Sequence, residues 1–133
     1  MPELPEVETV RRQLEPLVVG RRITEAWGHP SNKFSSAPFA AGAAIESVGR
    51  RGKYLLMGLD DERELIVHLG MTGRFSVKLK KMGERQLGEY EYEHGKDAKH
   101  DHIVFTMSGG AVVTYNDARR FGYMTLVPED GLA

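Results

Sequence analysis

The chain has 133 residues, with 18 Lys or Arg, 19 Asp or Glu and no cysteine. This length suits a single domain with a sizeable core, and the lack of cysteine excludes disulfides and every zinc site built on thiolates. The formal charge of -1 gives no overall attraction to nucleic acid or to an anionic membrane, so any such partner must meet a local patch. No segment is long and apolar enough to span a membrane, and the cytoplasm is the expected compartment.

The N-terminal segment is the first predicted element. Apolar residues recur at helical spacing from Val7 to Leu14, with acidic residues early and basic residues late, as the helix dipole favours. Pro5 fits the first turn, where its missing N–H costs nothing, and Pro16 is expected to end or bend the helix. The pattern predicts a helix over about residues 5–16.

After this helix the periodicity changes to that of β-strands. Short β-branched or aromatic segments alternate with turn residues, including hairpin connections at 60–61 and 108–110. The predicted strands cover 23–27, 44–48, 53–59, 64–69, 74–79, 102–107, 111–115 and 121–127. The predicted fold class is therefore mainly β with flanking α: a two-layer β-sandwich of about eight strands with an N-terminal helix.

The segment between residues 79 and 100 interrupts this pattern. It is too rich in charge to pack on both sides. We expect a mobile surface insertion, part of which forms a hairpin through Tyr90 and Tyr92.

The chain start carries a potential nucleophile. The small Pro2 allows removal of Met1, which leaves a secondary amine with a pKa of about 8. Part of that amine is unprotonated at neutral pH and can attack an aldehyde-like carbon to form an iminium. Glu3 is adjacent and Glu6 lies one helical turn farther on, so two carboxylates can serve the attacked group. For Pro2 the alternative is a chain start that merely frays. For the two acids the alternative is partnership with the helix dipole, which explains Glu6 well but Glu3 poorly.

Two later segments suit contacts with nucleic acid. Met71 lies in a glycine-flanked turn, where an exposed, flexible apolar side chain would form a wedge between base steps, although a single Met more often belongs to a core. Arg119 and Arg120 stand beside Phe121, and such arginines reach base edges while the ring stacks on a base. The alternative is a solvated arginine pair with Asp117 as its salt-bridge partner.

Basic residues and histidines add further candidates. Arg50, Arg51 and Lys53 form a local phosphate site, or else only a solvated charged face. His100 and His102 would share one face of a strand. No third ligand is evident near them, so we predict no metal site; one His can fix a sheet edge while the other meets phosphate.

These motifs together resemble a known family. The opening run PELPEVETVRR, residues 2–12, is similar to the start of the formamidopyrimidine-DNA glycosylases, the Fpg or MutM family of bacterial base-excision repair. Segments 49–55, 68–74 and 116–122 agree with that family in order and spacing. The resemblance implies that residues 1–133 are an Fpg-type N-terminal catalytic domain, without the family's helix-two-turn-helix and four-cysteine zinc-finger domains.

The resemblance also implies an activity and catalytic residues. It implies a bifunctional DNA glycosylase and AP lyase that removes oxidised purines, namely 8-oxoguanine and formamidopyrimidines. Pro2 would attack C1′ of the damaged nucleotide to give a Schiff base, with Glu3 as the proton donor to the opening deoxyribose. Glu6 would be a supporting or lesion-contacting carboxylate. Lys53 would serve β-elimination and bind the phosphate beside the lesion.

A second group of residues would contact DNA. In the family, side chains matching Met71, Arg119 and Phe121 fill the gap left by the flipped base, and those matching His68 and His100 touch DNA. Together with Leu4, the three filling residues also favour the Fpg branch over the endonuclease VIII branch of the superfamily.

The implied partner is double-stranded DNA containing oxidised bases, met by a monomer at the bacterial nucleoid, with no membrane partner. No cofactor is expected in this chain, because the family's zinc belongs to the C-terminal finger. The alternative is an isolated, catalytically idle N-terminal fragment that folds and binds DNA weakly. A bent duplex with a flipped base needs protein on both sides, and half of that clamp would be missing.

Overall fold

In the described part of the chain, the secondary structure consists of one α-helix, nine strands and short 3-10 turns. The computed structural model describes residues 4–80, 83–86 and 98–128. The elements are α1 (Leu4–Val18), β1 (Ile23–Gly28), β2 (Ile45–Arg51), β3 (Tyr54–Leu59), β4 (Glu64–His68), β5 (Gly73–Leu79), β6 (Gly83–Gln86), β7 (Asp101–Met107), β8 (Val112–Asp117) and β9 (Tyr123–Val127). The 3-10 turns cover Ala37–Ala40, Ala98–His100 and Ser108–Gly110.

The strands form two antiparallel sheets. The five-stranded sheet has the order β1-β7-β8-β5-β6, and the four-stranded sheet has the order β2-β3-β4-β9. Alternate residues of β3 and β4 are buried, as expected for strands that turn one side towards a core. The predicted fold class is confirmed, with nine strands in place of about eight.

The core draws on both sheets and on the helix. Its largest fully buried side chains include Phe75 and Tyr115 from the five-stranded sheet, Leu55 from the four-stranded sheet and Leu14 from α1. Phe34, from the connection between β1 and β2, joins them. Burying each such side chain stabilises the fold by about 1.5–3 kcal/mol relative to exposure.

Helix α1 continues past the proline that was expected to end it. Pro16 lies inside the helix, which reaches Val18. A proline inside a helix loses the hydrogen bond to the carbonyl four residues earlier, and its ring crowds that carbonyl. The side chain of Val18 is fully buried, and the Val19 N–H donates to the Glu15 carbonyl at 3.0 Å. Packing of the last turn therefore outweighs the missing bond.

Strand β6 (Gly83–Gln86) falls in the charged segment, where the sequence predicted only a hairpin through Tyr90 and Tyr92. It pairs with β5 in antiparallel register, from Ser76 opposite Gln86 to Leu79 opposite Gly83. The expected hairpin through Tyr90 lies outside the described residues, as does the rest of 87–97.

Several connections lie at one end of the sandwich, which we call the loop end. It comprises the β2–β3 turn at 52–53, the β4–β5 turn at 69–72, the β8–β9 connection at 118–122 and the turn Ala98–His100 before β7. Helix α1 also begins here. Near its start it contacts the end of β2, and just past its end the Gly20 N–H donates to the Ile45 carbonyl at the opposite end of β2.

Among the helices in the described part of the chain, none has the length and apolar character needed to cross a bilayer.

Candidate functional site

The first turn of α1 carries the predicted carboxylate Glu6. This residue is partly buried. Pro2 and Glu3 lie outside the described residues, so their placement stays a prediction. They are joined to Leu4, the first residue of α1, and the start of α1 belongs to the loop end.

Glu8 ties this helix to the β2–β3 hairpin. Its carboxylate accepts hydrogen bonds from Arg11 at 2.8 and 3.0 Å, from Arg12 at 2.8 Å and from Arg50 at 3.0 Å. The guanidinium of Arg11, followed by those of Arg50 and Arg12, holds the pKa of Glu8 well below its ordinary range. Sequence reasoning did not single out Glu8, although arginines three and four residues later are a recognisable helical signal.

Lys53 occupies the tight turn between β2 and β3. Gly52 adopts a positive φ of 58°, and Arg51 pairs with Tyr54 to close the turn. Arg50 also donates from Nη1 to the Gly52 carbonyl at 2.8 Å. Arg50 is thus a brace of the turn, whereas Arg51 is exposed and Lys53 is partly buried. The three predicted phosphate-binding cations therefore have different environments.

An aromatic row that sequence reasoning missed crosses the four-stranded sheet beside Lys53. The ring of His68 lies 5.2 Å from that of Tyr54 and stacks at 5.8 Å on that of Tyr123, measured between centroids. The Gly70 N–H donates to His68 Nδ1 at 3.0 Å, which leaves Nε2 as the donor nitrogen of the neutral ring. The row depends on the register of three strands, for which a sequence offers no local signal.

The three predicted gap-filling residues meet at the surface of the loop end. Met71 is 44% exposed and Phe121 is 56% exposed. Arg119 Nη1 lies 3.8 Å from the sulfur of Met71, and its Cζ lies 5.7 Å from the centroid of the Phe121 ring. The structure therefore brings together two segments separated by almost 50 positions, while the roles of these residues stay predictions.

Asp117 does not form the salt bridge that the alternative interpretation assigned to it. Within the described residues its carboxylate pairs with no arginine side chain. It is fully buried and accepts backbone N–H groups from Arg120 at 3.0 Å and Gly122 at 2.9 Å. The sequence signal that could have revealed this is an aspartate followed by a turn, because Asp side chains commonly accept from nearby backbone N–H groups.

The two histidines near the start of β7 have different environments. His100 ends the 3-10 turn at the loop end and is partly buried. His102 is buried and stacks on Phe34 at a centroid distance of 4.8 Å. Its Nε2 lies 2.7 Å from the Asp117 carbonyl oxygen, to which it donates, and burial lowers its pKa. His102 is therefore a core residue. Among the described residues, no group of three or more His, Cys, Asp or Glu side chains is arranged to hold a metal ion.

Comparisons with known sequences identify relatives of this chain. The family model for the formamidopyrimidine-DNA glycosylase N-terminal domain matches residues 1–124. The chain is 51% identical to the formamidopyrimidine-DNA glycosylase of Methylobacterium sp. (strain 4-46), covering 96% of this chain and 45% of the relative. It is 48% identical to that of Methylobacterium radiotolerans, covering 100% and 47%. The chain spans about half the length of the curated relatives it matches.

Solved structures agree with the sequence comparisons. The Lactococcus lactis Fpg in complex with DNA containing an abasic site superposes with a TM-score of 0.74 and 32% identity, covering 95% of this chain and 43% of that one. A MutM in complex with DNA containing carbocyclic 8-oxo-G gives 0.73 and 34%, covering 94% and 44%. The fold, the opening motif and the loop-end segments thus agree with one family along nearly the whole chain. The chain belongs to the formamidopyrimidine-DNA glycosylases.

Proposed function

We propose that this chain supplies the catalytic N-terminal part of a base-excision repair DNA glycosylase and AP lyase that acts on oxidised purines in double-stranded DNA. The observation that carries the proposal is the composition of the loop end. It combines the exposed cluster of Met71, Arg119 and Phe121 with the Lys53 turn and with the start of the helix to which Pro2 is joined. Solved relatives bound to abasic-site DNA and to 8-oxo-G DNA support this substrate class.

The proposed chemistry begins with the Pro2 amine, freed by removal of Met1. The unprotonated nitrogen attacks C1′ of the damaged nucleotide, and the N-glycosidic bond breaks with its electron pair leaving on the base, which takes up a proton. Glu3 protonates O4′ as the deoxyribose ring opens, so that nitrogen and C1′ form an iminium. Loss of a C2′ proton and cleavage of the C3′–O bond then break the strand, and the leaving phosphate becomes the 5′-phosphate end of the downstream fragment. Lys53 serves this elimination and binds the phosphate beside the lesion, and Glu6 is a supporting or lesion-contacting carboxylate.

Base extrusion explains why apolar side chains should be exposed at this end. A base turned out of the duplex leaves an unstacked gap, and filling that gap offsets part of the energy of unstacking. Met71 supplies a flexible side chain and Phe121 a flat ring. Arg119 contacts both and carries the donors needed to reach the orphaned partner base.

Borohydride trapping tests the Schiff base. The chain without Met1, joined to the C-terminal part of the Methylobacterium sp. relative, is incubated with an 8-oxoguanine duplex and borohydride. We expect a covalent protein–DNA adduct that is diminished by Pro2→Gly and absent when Met1 is retained, because Met1 acylates the amine. Glu46→Gln, on the exposed side of β2, is the matched control and should trap like the parent. No adduct, or trapping undiminished by Pro2→Gly, would refute the role of Pro2.

The second candidate function is a DNA-binding module without catalysis. This candidate is favoured because the chain covers only 45% of the Methylobacterium sp. relative, and a clamp on a bent duplex needs protein on both sides. Binding by the 133 residues alone separates the two candidates. Weak, salt-dependent binding that ignores the lesion supports the module, whereas lesion discrimination or trapping by the chain alone contradicts it.

A further inference from the structure

The carboxylate of Asp117 joins two loops from the interior of the protein. Asp117 is the last residue of β8 and its side chain is fully buried. Oδ1 accepts from the Thr72 hydroxyl at 2.6 Å and from the Arg120 N–H at 3.0 Å. Oδ2 accepts from the Gly122 N–H at 2.9 Å and from the Tyr115 hydroxyl at 3.0 Å. All four partners are donors, so the buried carboxylate has the hydrogen bonds that a charge away from water requires.

Thr72 is the bridge between the two loops. It follows Met71 in the β4–β5 turn, and its hydroxyl donates to Asp117. The same oxygen accepts the Arg119 N–H at 3.0 Å. One side chain thus connects the turn that carries Met71 with the backbone of the residue that contacts Met71 from the other loop.

The backbones of the two loops also approach as closely as glycine allows. Gly70 has a positive φ of 62°, and a Cβ there would collide with the backbone nitrogen of Gly122. A Cβ at Gly122 would collide with the Tyr115 hydroxyl and the His68 carbonyl oxygen. Neither loop can shift far without breaking contacts of the other.

Residues of the core also hold Asp117 in place. His102 donates to the Asp117 carbonyl at 2.7 Å and stacks on buried Phe34. Burial, together with the charge of Asp117, raises the pKa of Tyr115, which keeps its hydroxyl protonated as a donor. The main chain and the side chain of Asp117 are therefore both held by core residues.

We infer that Asp117, acting through Thr72, is a positioning residue that fastens the Met71 turn and the 118–122 loop into one preorganised wedge for probing the base stack. The inference rests on the proposed function for its DNA role but not for the fastening itself. Preorganisation matters because a wedge that must first be ordered loses part of its binding free energy to that ordering. Met71, Arg119 and Phe121 act on DNA, whereas Asp117 and Thr72 act only through them.

Three substitutions distinguish a local loss of the fastening from a loss of stability of the whole fold. Thr72→Val keeps the shape but removes the hydroxyl, and Thr72→Ser restores the hydroxyl. Asp117→Asn keeps the size, but in either amide orientation its NH₂ group faces a backbone N–H, from Arg120 or from Gly122. An unsatisfied buried donor of this kind is costly.

Amide hydrogen exchange of the chain without DNA tests the fastening. We expect Thr72→Val to accelerate exchange at Arg119 by about tenfold or more, and Asp117→Asn to do so at Arg120 and Gly122, while Leu56 in the middle of β3 keeps its rate. Thr72→Ser should exchange like the parent. Unchanged rates at all three amides in Thr72→Val and Asp117→Asn, or equal acceleration at Leu56, would overturn the inference whatever DNA does.

DNA binding tests the role of the wedge. The protein is the one used for borohydride trapping, in which this chain is joined to the C-terminal part of the Methylobacterium sp. relative, and we call it the joined protein. The readout is the ratio of affinities for a duplex containing the unreactive abasic-site analogue tetrahydrofuran and an intact duplex. Thr72→Val should reduce this ratio by about fivefold or more with little change for intact DNA, and Thr72→Ser should restore it. A normal ratio in Thr72→Val would overturn the positioning role. If the parent itself shows no preference while the exchange result holds, the proposed function fails and the fastening stands.

Discussion

Glu8 is the residue that connects the helix bearing the chain start to the turn bearing Lys53. It accepts hydrogen bonds from two arginines of its own helix and from Arg50 on β2. Because these bonds favour the ionised form, the folded-state pKa lies below the ordinary value of 4.5. The stabilisation is therefore fully present above that value and is lost progressively as the pH falls below it.

Substitution of Glu8 should change the acid limb of the stability profile. We expect Glu8→Gln to be less stable at neutral pH and to lose less stability than the parent between about pH 5 and pH 3. Urea denaturation followed by circular dichroism over this range measures the difference. Glu46→Gln should keep the slope of the parent, and parallel curves for Glu8→Gln and the parent would contradict the connection.

At the scale of elements, the loop end depends on close backbone approach. Gly122 is buried against the Tyr115 hydroxyl and the His68 carbonyl, with no space for a methyl group. Gly49 in β2 offers a matched comparison, since a Cβ there would meet only the Leu56 carbonyl oxygen, at 4.0 Å.

Gly122→Ala should therefore destabilise the fold by about 2–3 kcal/mol, as overpacking of a filled site does, whereas Gly49→Ala should change the free energy of unfolding by less than about 1 kcal/mol. Urea denaturation at neutral pH measures both. Equal effects would show that the two loops have room to move apart.

Local pattern predicted most elements but not their exact extent. The apolar spacing from Val7 to Leu14 predicted α1, because amphipathic periodicity is a local signal. Its extension to Val18 depends on core packing, which overrides the local penalty of Pro16. The four residues of β6, Gly83–Gln86, are polar or glycine, and their strand conformation comes from pairing with β5 rather than from their own propensity.

At the scale of the whole molecule, the net charge of -1 does not exclude exposed basic side chains at the end where DNA is proposed to bind. Exposed Arg51 and Arg119 lie at the loop end, where we propose that DNA binds. Exposed Arg22 lies near the opposite end, within 3.5 Å of Asp60 in the β3–β4 turn. A contact to a phosphate releases counterions, so each one contributes to the salt dependence of binding.

Arg51→Gln should reduce the slope of log affinity against log salt concentration by about 0.9 for an intact duplex, the value expected for one lost phosphate contact. Arg22→Gln should leave the slope unchanged. Titrations of the joined protein at several salt concentrations measure it. A smaller slope for Arg22→Gln alone would place the interface at the other end of the sandwich.

The candidate site was predictable only in part, for a physical reason. Met71, Arg119 and Phe121 carry chemistry that suits DNA, so residue type made them candidates, and the family resemblance implied their roles. The bond from Thr72 to Asp117 and the row through His68 join residues distant in sequence, which the register of the sheets brings near. Such contacts leave no local pattern.

The residues proposed to touch DNA and the residues that hold them in place form separate sets. Met71 and Phe121 extend into solvent, while Asp117 is buried beneath them. Substitutions at the two exposed positions therefore need not disturb the fold. Exchanging these two side chains would therefore alter the proposed contacts with the base stack while the buried framework beneath them stays the same.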